Sequence, residues 1–188
     1  MKTHLFPAIK LTILLIVLLT VVYPAVVWGI AKLSAAAGQG QTISATGKKY
    51  YGNIGQSFTQ DKYFWSRPSA VGYNAAGSAG SNKGPSNEEY LAEVQARIDT
   101  LLAHNPGVSV SQIPMDLVTA SGSGLDPDFS VQAAKVQVAR IAKIRNISEA
   151  KLIAIIDMHT DRPLWGLFGP EKVNVLNLNI ALDNLSGQ

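Results

Sequence analysis

Residues 11–31 run for 21 positions without a charge, LTILLIVLLTVVYPAVVWGIA, and nothing else in the chain restricts its fold as strongly. A helix rises about 1.5 Å per residue, so this run spans roughly 30 Å, the hydrocarbon thickness of a bilayer. Lys10 and Lys32 bracket it, and Tyr23 and Trp28 fall in its C-terminal part, where amphipathic rings favour the headgroup level. Pro24 is expected to kink the helix or to mark where it leaves the bilayer. The competing reading is a cleaved secretory signal, because Ala35-Ala36-Ala37 supplies the small residues a signal peptidase accepts. A signal's apolar core usually has about 7–15 residues, shorter than this run. The segment therefore reads as a retained membrane anchor over residues 11–33, preceded by a short tail, residues 1–10.

Charge is placed to suit that anchor. The chain has 16 Lys and Arg against 13 Asp and Glu, a net charge of +3. Lys2, Lys10 and Lys32 lie in the first 33 residues, which hold no acid, so the remainder carries 13 bases against 13 acids. A neutral remainder argues against nucleic-acid binding, which needs a basic face to neutralise phosphates. Cysteine is absent, which excludes disulfides, thiolate catalysis and Cys-ligated metals. Lys2 and Lys10 before the span are nearly balanced by Lys32, Lys48 and Lys49 after it, so charge tilts only slightly toward a cytoplasmic N-terminus.

Residues 34–57, rich in Gly, Ala, Ser, Thr and Gln, suit a juxtamembrane linker or an edge strand. Residues 58–188 read as a single α+β domain. Within it a turn-rich stretch, residues 63–86, leads to Ser86 or Asn87 as a helix cap, with Glu88 and Glu89 in the first turn. Tyr90, Leu91, Val94, Ile98, Leu101 and Leu102 then recur at helical spacing until Asn105-Pro106-Gly107. Asp126-Pro127 reads as the N-cap and first position of another helix, with Val131, Ala134, Val138, Ile141 and Ala142 on its apolar face. Ser148-Glu149 opens a third helix to about Met158, and residues 164–168 and 173–178 read as strands.

Catalytic patterns fail one after another. No G-x-x-x-x-G-K-[ST] is present, Pro127 occupies the third glycine's place after Gly122-Ser123-Gly124, and the D-K-T-G loop of P-type pumps is missing. A phosphate cradle before a helix N-terminus remains physically open at Ser121, Gly122, Ser123, Gly124 and Asp126, although the acids there oppose an anion. No G-x-S-x-G elbow or S-x-x-K occurs. Asp157, His159 and Asp161 would share a face only on an extended segment; a solvated helix end is the plainer reading, and no metal site or catalytic residue is assigned. Val71-Gly72-Tyr73 matches part of a potassium-filter sequence, but a filter needs several converging pore loops. Asn146-Ile147-Ser148 and Asn184-Leu185-Ser186 fit the glycosylation pattern and read as a helix boundary and a tail.

Four ordered blocks carry a family resemblance: FWSRPSA from Phe64, Tyr73 with GSNKGPSN from Gly80, IPMDLVTASGSGLDP from Ile113, and VNVLNLNIAL from Val173. Together with the single anchor they resemble the KdpC subunit of the Kdp potassium-transporting P-type ATPase; Asp128 stands where many members have His. The resemblance implies a non-catalytic accessory subunit in a bacterial inner membrane, with a cytoplasmic N-terminus and an extracytoplasmic domain. Its partners would be a channel-like potassium-binding subunit and a P-type subunit that hydrolyses ATP. It would stabilise their assembly, with Ala25 and Gly29 allowing close helix approach and Arg67, Ser69, Ser81, Asn82 and Asn87 facing a partner. The family is also described as assisting nucleotide use; if ATP binds this chain, residues 121–126 are the seat, and no other cofactor is implied. The alternatives from other classes are a tethered hydrolase using Ser123 with His159 and an acid, and a tethered sensor or binding module.

Overall fold

The computed structural model of the protein describes residues 2–34, 36–45 and 47–186. Ala35, part of the candidate cleavage site, lies outside them, as do Met1, Gly187 and Gln188. Two compact units result: one runs to Ser44 and takes in Lys49–Tyr51, and the other comprises Ala45–Lys48 and the chain from Gly52 onward.

The first unit begins with helix α1 (Lys2–Val17), continues through a π-helical turn (Leu18–Val22) and ends as α2 (Tyr23–Lys32). His4–Lys32 is the one helix among the described residues long and apolar enough to cross a bilayer. The disturbance expected of Pro24 takes the form of the π turn. Proline's ring would press on the carbonyl four residues back, that of Thr20. Widening Leu18–Val22 relieves this, and the Tyr23 N–H reaches back to the Leu18 carbonyl. The helix then continues to Lys32. Residues 34–57 contain a hairpin, β1 (Thr42–Ala45) with β2 (Lys48–Tyr51).

In the second unit α3 (Glu88–His104) starts where expected, with the Asn87 side chain accepting from the Tyr90 N–H at 2.8 Å. After two 3-10 turns (Val110–Gln112 and Met115–Leu117) come β3 (Asp128–Phe129), α4 (Val131–Lys135), α5 (Val138–Arg145), α6 (Glu149–Met158), β4 (Thr160–Asp161), β5 (Lys172–Asn174) and α7 (Val175–Ser186). The sheet order is β3-β5-β4, antiparallel throughout, pairing Phe129 with Val173 and Val173 with Thr160. Phe64, Phe129, Ile141, Leu152, Ile156, Val173, Leu178 and Leu182 form the centre of one buried core. The fold is thus α+β behind an N-terminal apolar helix.

Several local expectations are corrected. Asp126-Pro127 does not start a helix: Asp128 and Phe129 pair with β5, the Pro127 carbonyl accepts from the Val175 N–H at 2.9 Å, and Ser130 caps α4. The expected single helix beyond it breaks at Val136 and Gln137, which separates α4 from α5 and frees the Gln137 side chain for another task. Residues 164–168 are a tight turn closed by one bridge, not a strand. Only Val173 and Asn174 of the second expected strand are extended, within β5, because Val175, Leu178 and Leu182 are buried at helical spacing and Asn174 Oδ1 caps the Asn177 N–H at 3.0 Å. Asn184 and Leu185, read as tail, belong to α7.

Candidate functional site

Two blocks that lie some sixty positions apart in the sequence meet in the second unit. The Arg67 guanidinium holds the Asp126 carboxylate at 2.5 Å. Ser69 Oγ donates to the Gly124 carbonyl at 2.6 Å, Ser78 Oγ to the Ser123 carbonyl at 3.0 Å, and the Gly55 N–H to the Leu125 carbonyl at 2.8 Å. The approach is close enough to demand glycine. A Cβ on Gly124, whose φ is +66°, would lie 2.7 Å from a Val71 methyl and 2.8 Å from the Ala79 carbonyl oxygen. A Cβ on Gly55 would lie 2.5 Å from the Asp126 carbonyl oxygen. The Gly- and Ser-rich composition of residues 121–126 therefore serves a loop laid on another loop.

The loop's donors are directed inward as well. The Gly124 N–H bonds to Ser121 Oγ at 3.0 Å, the Leu125 N–H to Ser123 Oγ at 3.1 Å, and the Asp128 N–H to Asp126 Oδ1 at 3.0 Å. Ser121 is buried and Gly122 backs onto Gly80. The next element is the short strand β3, so the loop does not lead directly into a helix N-terminus. Asp128 faces its neighbours on β5, with Lys172 Nζ at 2.5 Å and Asn174 Nδ2 at 3.3 Å. This hydrogen bond raises the Lys172 pKa above its ordinary value, against the desolvation that lowers it.

Residues 61–66, just before the first block, are tied down by helix side chains. Asn179 on α7 accepts from the Phe64 N–H at 2.9 Å and donates to the Phe64 carbonyl at 3.0 Å. Gln137 accepts from the Trp65 N–H at 2.7 Å and from Arg140 Nη2 at 2.7 Å. Arg140 also donates to Asn105 Oδ1 at 3.0 Å and to the Asp61 carbonyl, and lies 4.7 Å over the Trp65 ring. Burial lowers the Arg140 pKa to about 10, with the Asp61 charge opposing that shift. Arg145 donates to the Lys62 carbonyl at 2.9 Å and to Asp183 at 2.7 Å, with its guanidinium 4.8 Å over Tyr63. Asn179, Gln137 and Arg140 carried a usable signal in the sequence: each is a polar residue inside an otherwise apolar helical stripe.

Beside this strap lies a cleft of about 360 Å³, lined by Phe58, Trp65, Arg67, Tyr73, Arg97 and Leu117 among others. The Tyr73 hydroxyl donates to the Arg67 carbonyl, and burial raises its pKa. Trp65 Nε1 and Arg67 Nε, on two of the residues that line it, are buried with no hydrogen-bond partner among the described residues.

The other residues picked out by the sequence are scattered. Ser81 is half-buried and Asn82 exposed at a φ of +54°, in the approach to α3 that Asn87 caps. Lys83 Nζ bonds Glu89 at 3.0 Å and Glu93 at 2.9 Å. Ala25 and Gly29 are exposed on α2. His159 Nδ1 is spent on the Ile155 carbonyl at 2.8 Å, and no group of three or more His, Cys, Asp or Glu side chains converges among the described residues.

A family model described as "K+-transporting ATPase, c chain" matches residues 5–184. The potassium-transporting ATPase KdpC subunit of Flavobacterium johnsoniae is 55% identical, over 97% of this chain and 98% of its own. Its namesakes from Bacteroides fragilis and Dechloromonas aromatica are each 47% identical, over 100% and 99% of this chain and all of theirs.

Proposed function

The chain belongs to the KdpC family of potassium-transporting ATPase subunits, and from that premise we propose that it is the non-catalytic member that holds the channel-like and ATP-hydrolysing subunits together. The observation that carries this reading is the use made of the polar side chains. Arg67, Ser69, Ser78, Asp126, Gln137, Arg140 and Asn179 all fix one chain segment against another. Such a rigid, internally bonded surface suits a support that presents a fixed shape to a partner.

In this reading the N-terminus is cytoplasmic and the domain extracytoplasmic, at the mouth of the channel-like subunit. Ala25 and Gly29 let the spanning helix approach those of a partner, since small residues permit close backbone packing. Arg67 and Ser69 keep the platform in shape, while Ser81, Asn82 and Asn87 lie on its outer side. Residues 121–126 belong to the platform rather than to ATP, because the Gly124 and Leu125 N–H groups and the Ser123, Gly124 and Leu125 carbonyls are engaged by the chain itself. Titration of the full chain with Mg-ATP is expected to give no saturable binding; saturable binding lost in Ser123→Ala would overturn that part.

The experiment that tests the whole reading is deletion of the chain from cells that depend on the transporter. The remaining subunits are expected not to purify as one complex, and growth at low external potassium is expected to fail. Normal assembly and growth would defeat the proposal.

A further inference from the structure

Past Lys32 the chain does not run straight out from the apolar helix but turns back on the helix end. The Leu33 and Ser34 N–H groups donate to the Ile30 and Ala31 carbonyls at 3.0 and 3.1 Å, and those of Ala37 and Gln39 to the Ser34 and Ala36 carbonyls at 2.8 Å each. A Cβ on Gly38 would lie 3.4 Å from the Ala31 Cβ, and one on Gly40 would lie 3.4 Å from the Tyr51 ring. Fully extended, residues 32–51 would reach roughly 60 Å. These contacts instead keep Lys49–Tyr51 in the same compact unit as the helix.

The side chains at this end repeat one pairing. On the helix, Lys32 Nζ lies 5.4 Å over the ring of Trp28, one turn earlier, and Trp28 is 66% exposed. On β2, Lys49 and Tyr51 share a face, since alternate residues of a strand point the same way, and both are exposed. Leu33, next to Lys32, is 88% exposed. Amphipathic rings beside lysines are the composition suited to the layer where hydrocarbon gives way to headgroups. The charge is one-sided: residues 1–60 hold Lys2, Lys10, Lys32, Lys48 and Lys49 and neither Asp nor Glu, so no acid of this unit neutralises Lys32 or Lys49. Lysines that follow a span on the extracytoplasmic side also run against the usual charge bias of membrane insertion, which calls for a use there.

We infer that Lys32 and Lys49, with Trp28 and Tyr51, form a collar that seats on acidic phospholipid headgroups, the lysines on phosphodiester oxygens and the rings just beneath them. The inference rests on the reading of the helix as a bilayer span. Given the span, its length brings the headgroup layer to Lys32 without appeal to any other protein. A lysine near an acidic lipid surface gains from the surface potential, and an amphipathic ring gains from the interface. Free phosphate would match the charge but offers no apolar layer to Trp28, Leu33 and Tyr51.

The chain has no cysteine, so Thr42→Cys, at an exposed position of β1, takes a single fluorophore. The full-length protein is placed in nanodiscs of phosphatidylglycerol or of phosphatidylcholine, each carrying a nitroxide on a fraction of its headgroups. Strong quenching of the label is expected in phosphatidylglycerol and weaker quenching in phosphatidylcholine. Lys49→Gln is expected to lower the ratio of docked to free collar by roughly fivefold, the share of one lysine at an acidic surface, and Lys49→Arg to leave it unchanged. Three outcomes would overturn the inference: a label open to aqueous iodide and untouched by the nitroxide, quenching equal in the two lipids and indifferent to Lys49→Gln, or release by inorganic phosphate beyond that given by chloride at the same ionic strength. Each of these leaves the span standing, whereas a full-length chain that does not enter nanodiscs would overturn the spanning reading and this inference with it.

Discussion

The strap at residues 61–66 and the turn at residues 163–169 are short irregular segments of the same domain, yet they spend their polar and apolar groups in opposite ways. The strap buries Phe64 completely and entrusts its backbone to side chains from distant helices, Asn179, Gln137, Arg140 and Arg145. The turn bonds its backbone to itself and leaves Leu164, Trp165, Leu167 and Phe168 outside. Where long-range hydrogen bonds hold a loop, its sequence answers to the fold. Where they do not, the fold asks little of its side chains.

The comparison breaks most readily at Asn179. Asn179→Ala leaves the buried Phe64 N–H and carbonyl without partners, and each such group costs about 1–3 kcal/mol. Urea unfolding of the domain is expected to show a loss of about 4 kcal/mol; a loss below about 1 kcal/mol would mean that water replaces the amide and that the strap is held less firmly than its geometry implies. Gly124→Ala comes next. The left-handed conformation costs roughly 1–2 kcal/mol and the contacts with Val71 and Ala79 add strain of similar size, about 3 kcal/mol together. The same variant is informative about nucleotide: a loop that serves packing loses stability, whereas one that serves a phosphate loses binding with the fold intact.

Trp165→Asn sharpens the comparison from the other side. Relief of the left-handed strain, roughly 1–2 kcal/mol, is set against the edge contact with Phe168, about 0.5–1.5 kcal/mol. The two nearly cancel, so stability is expected to change by less than about 1 kcal/mol, far from the effect at Asn179.

These two regions also separate what was legible in the sequence from what was not. The N-terminal apolar helix and α3 could be read because their signals are local: an uncharged run, and an apolar period of 3.6 between an Asn cap and an Asn-Pro-Gly stop. Residues 173–178 could not, because Val173 and Val175 fit alternation as well as a strand's end followed by a helix, and only the burial of Leu178 and Leu182 decides. At residues 164–168 the same ambiguity hid a turn, although Pro163, Gly166, Gly169 and Pro170 bracketed it. Arg67 and Asp126 were each visible as unusual residues. Their pairing was not, since it joins positions 59 apart through a loop contact that no local pattern encodes.

The smallest effect expected lies between the two extremes, where the exposed approach to α3 is held by charge. Lys83 Nζ bonds Glu93 at 2.9 Å, and Arg97 reaches the same carboxylate at 3.2 Å. The hydrogen bond from Lys83 holds the Glu93 carboxyl below its ordinary 4.5, and that same bond, then the one to Glu89, holds Lys83 above its ordinary 10.5. A lowered acid is stabilising above its unfolded value and loses that contribution as pH falls through its folded one; a raised base is stabilising below its unfolded value and loses it as pH rises through its folded one. The pair therefore contributes fully between about pH 5 and pH 10 and fades on both sides. Glu93→Gln is expected to lower the urea midpoint slightly at pH 7, with the gap from the unaltered protein closing as the pH falls below about 4.5 and weakening with added salt. A gap that ignored both pH and salt would place Glu93 with the strap, as a residue held by packing rather than by charge.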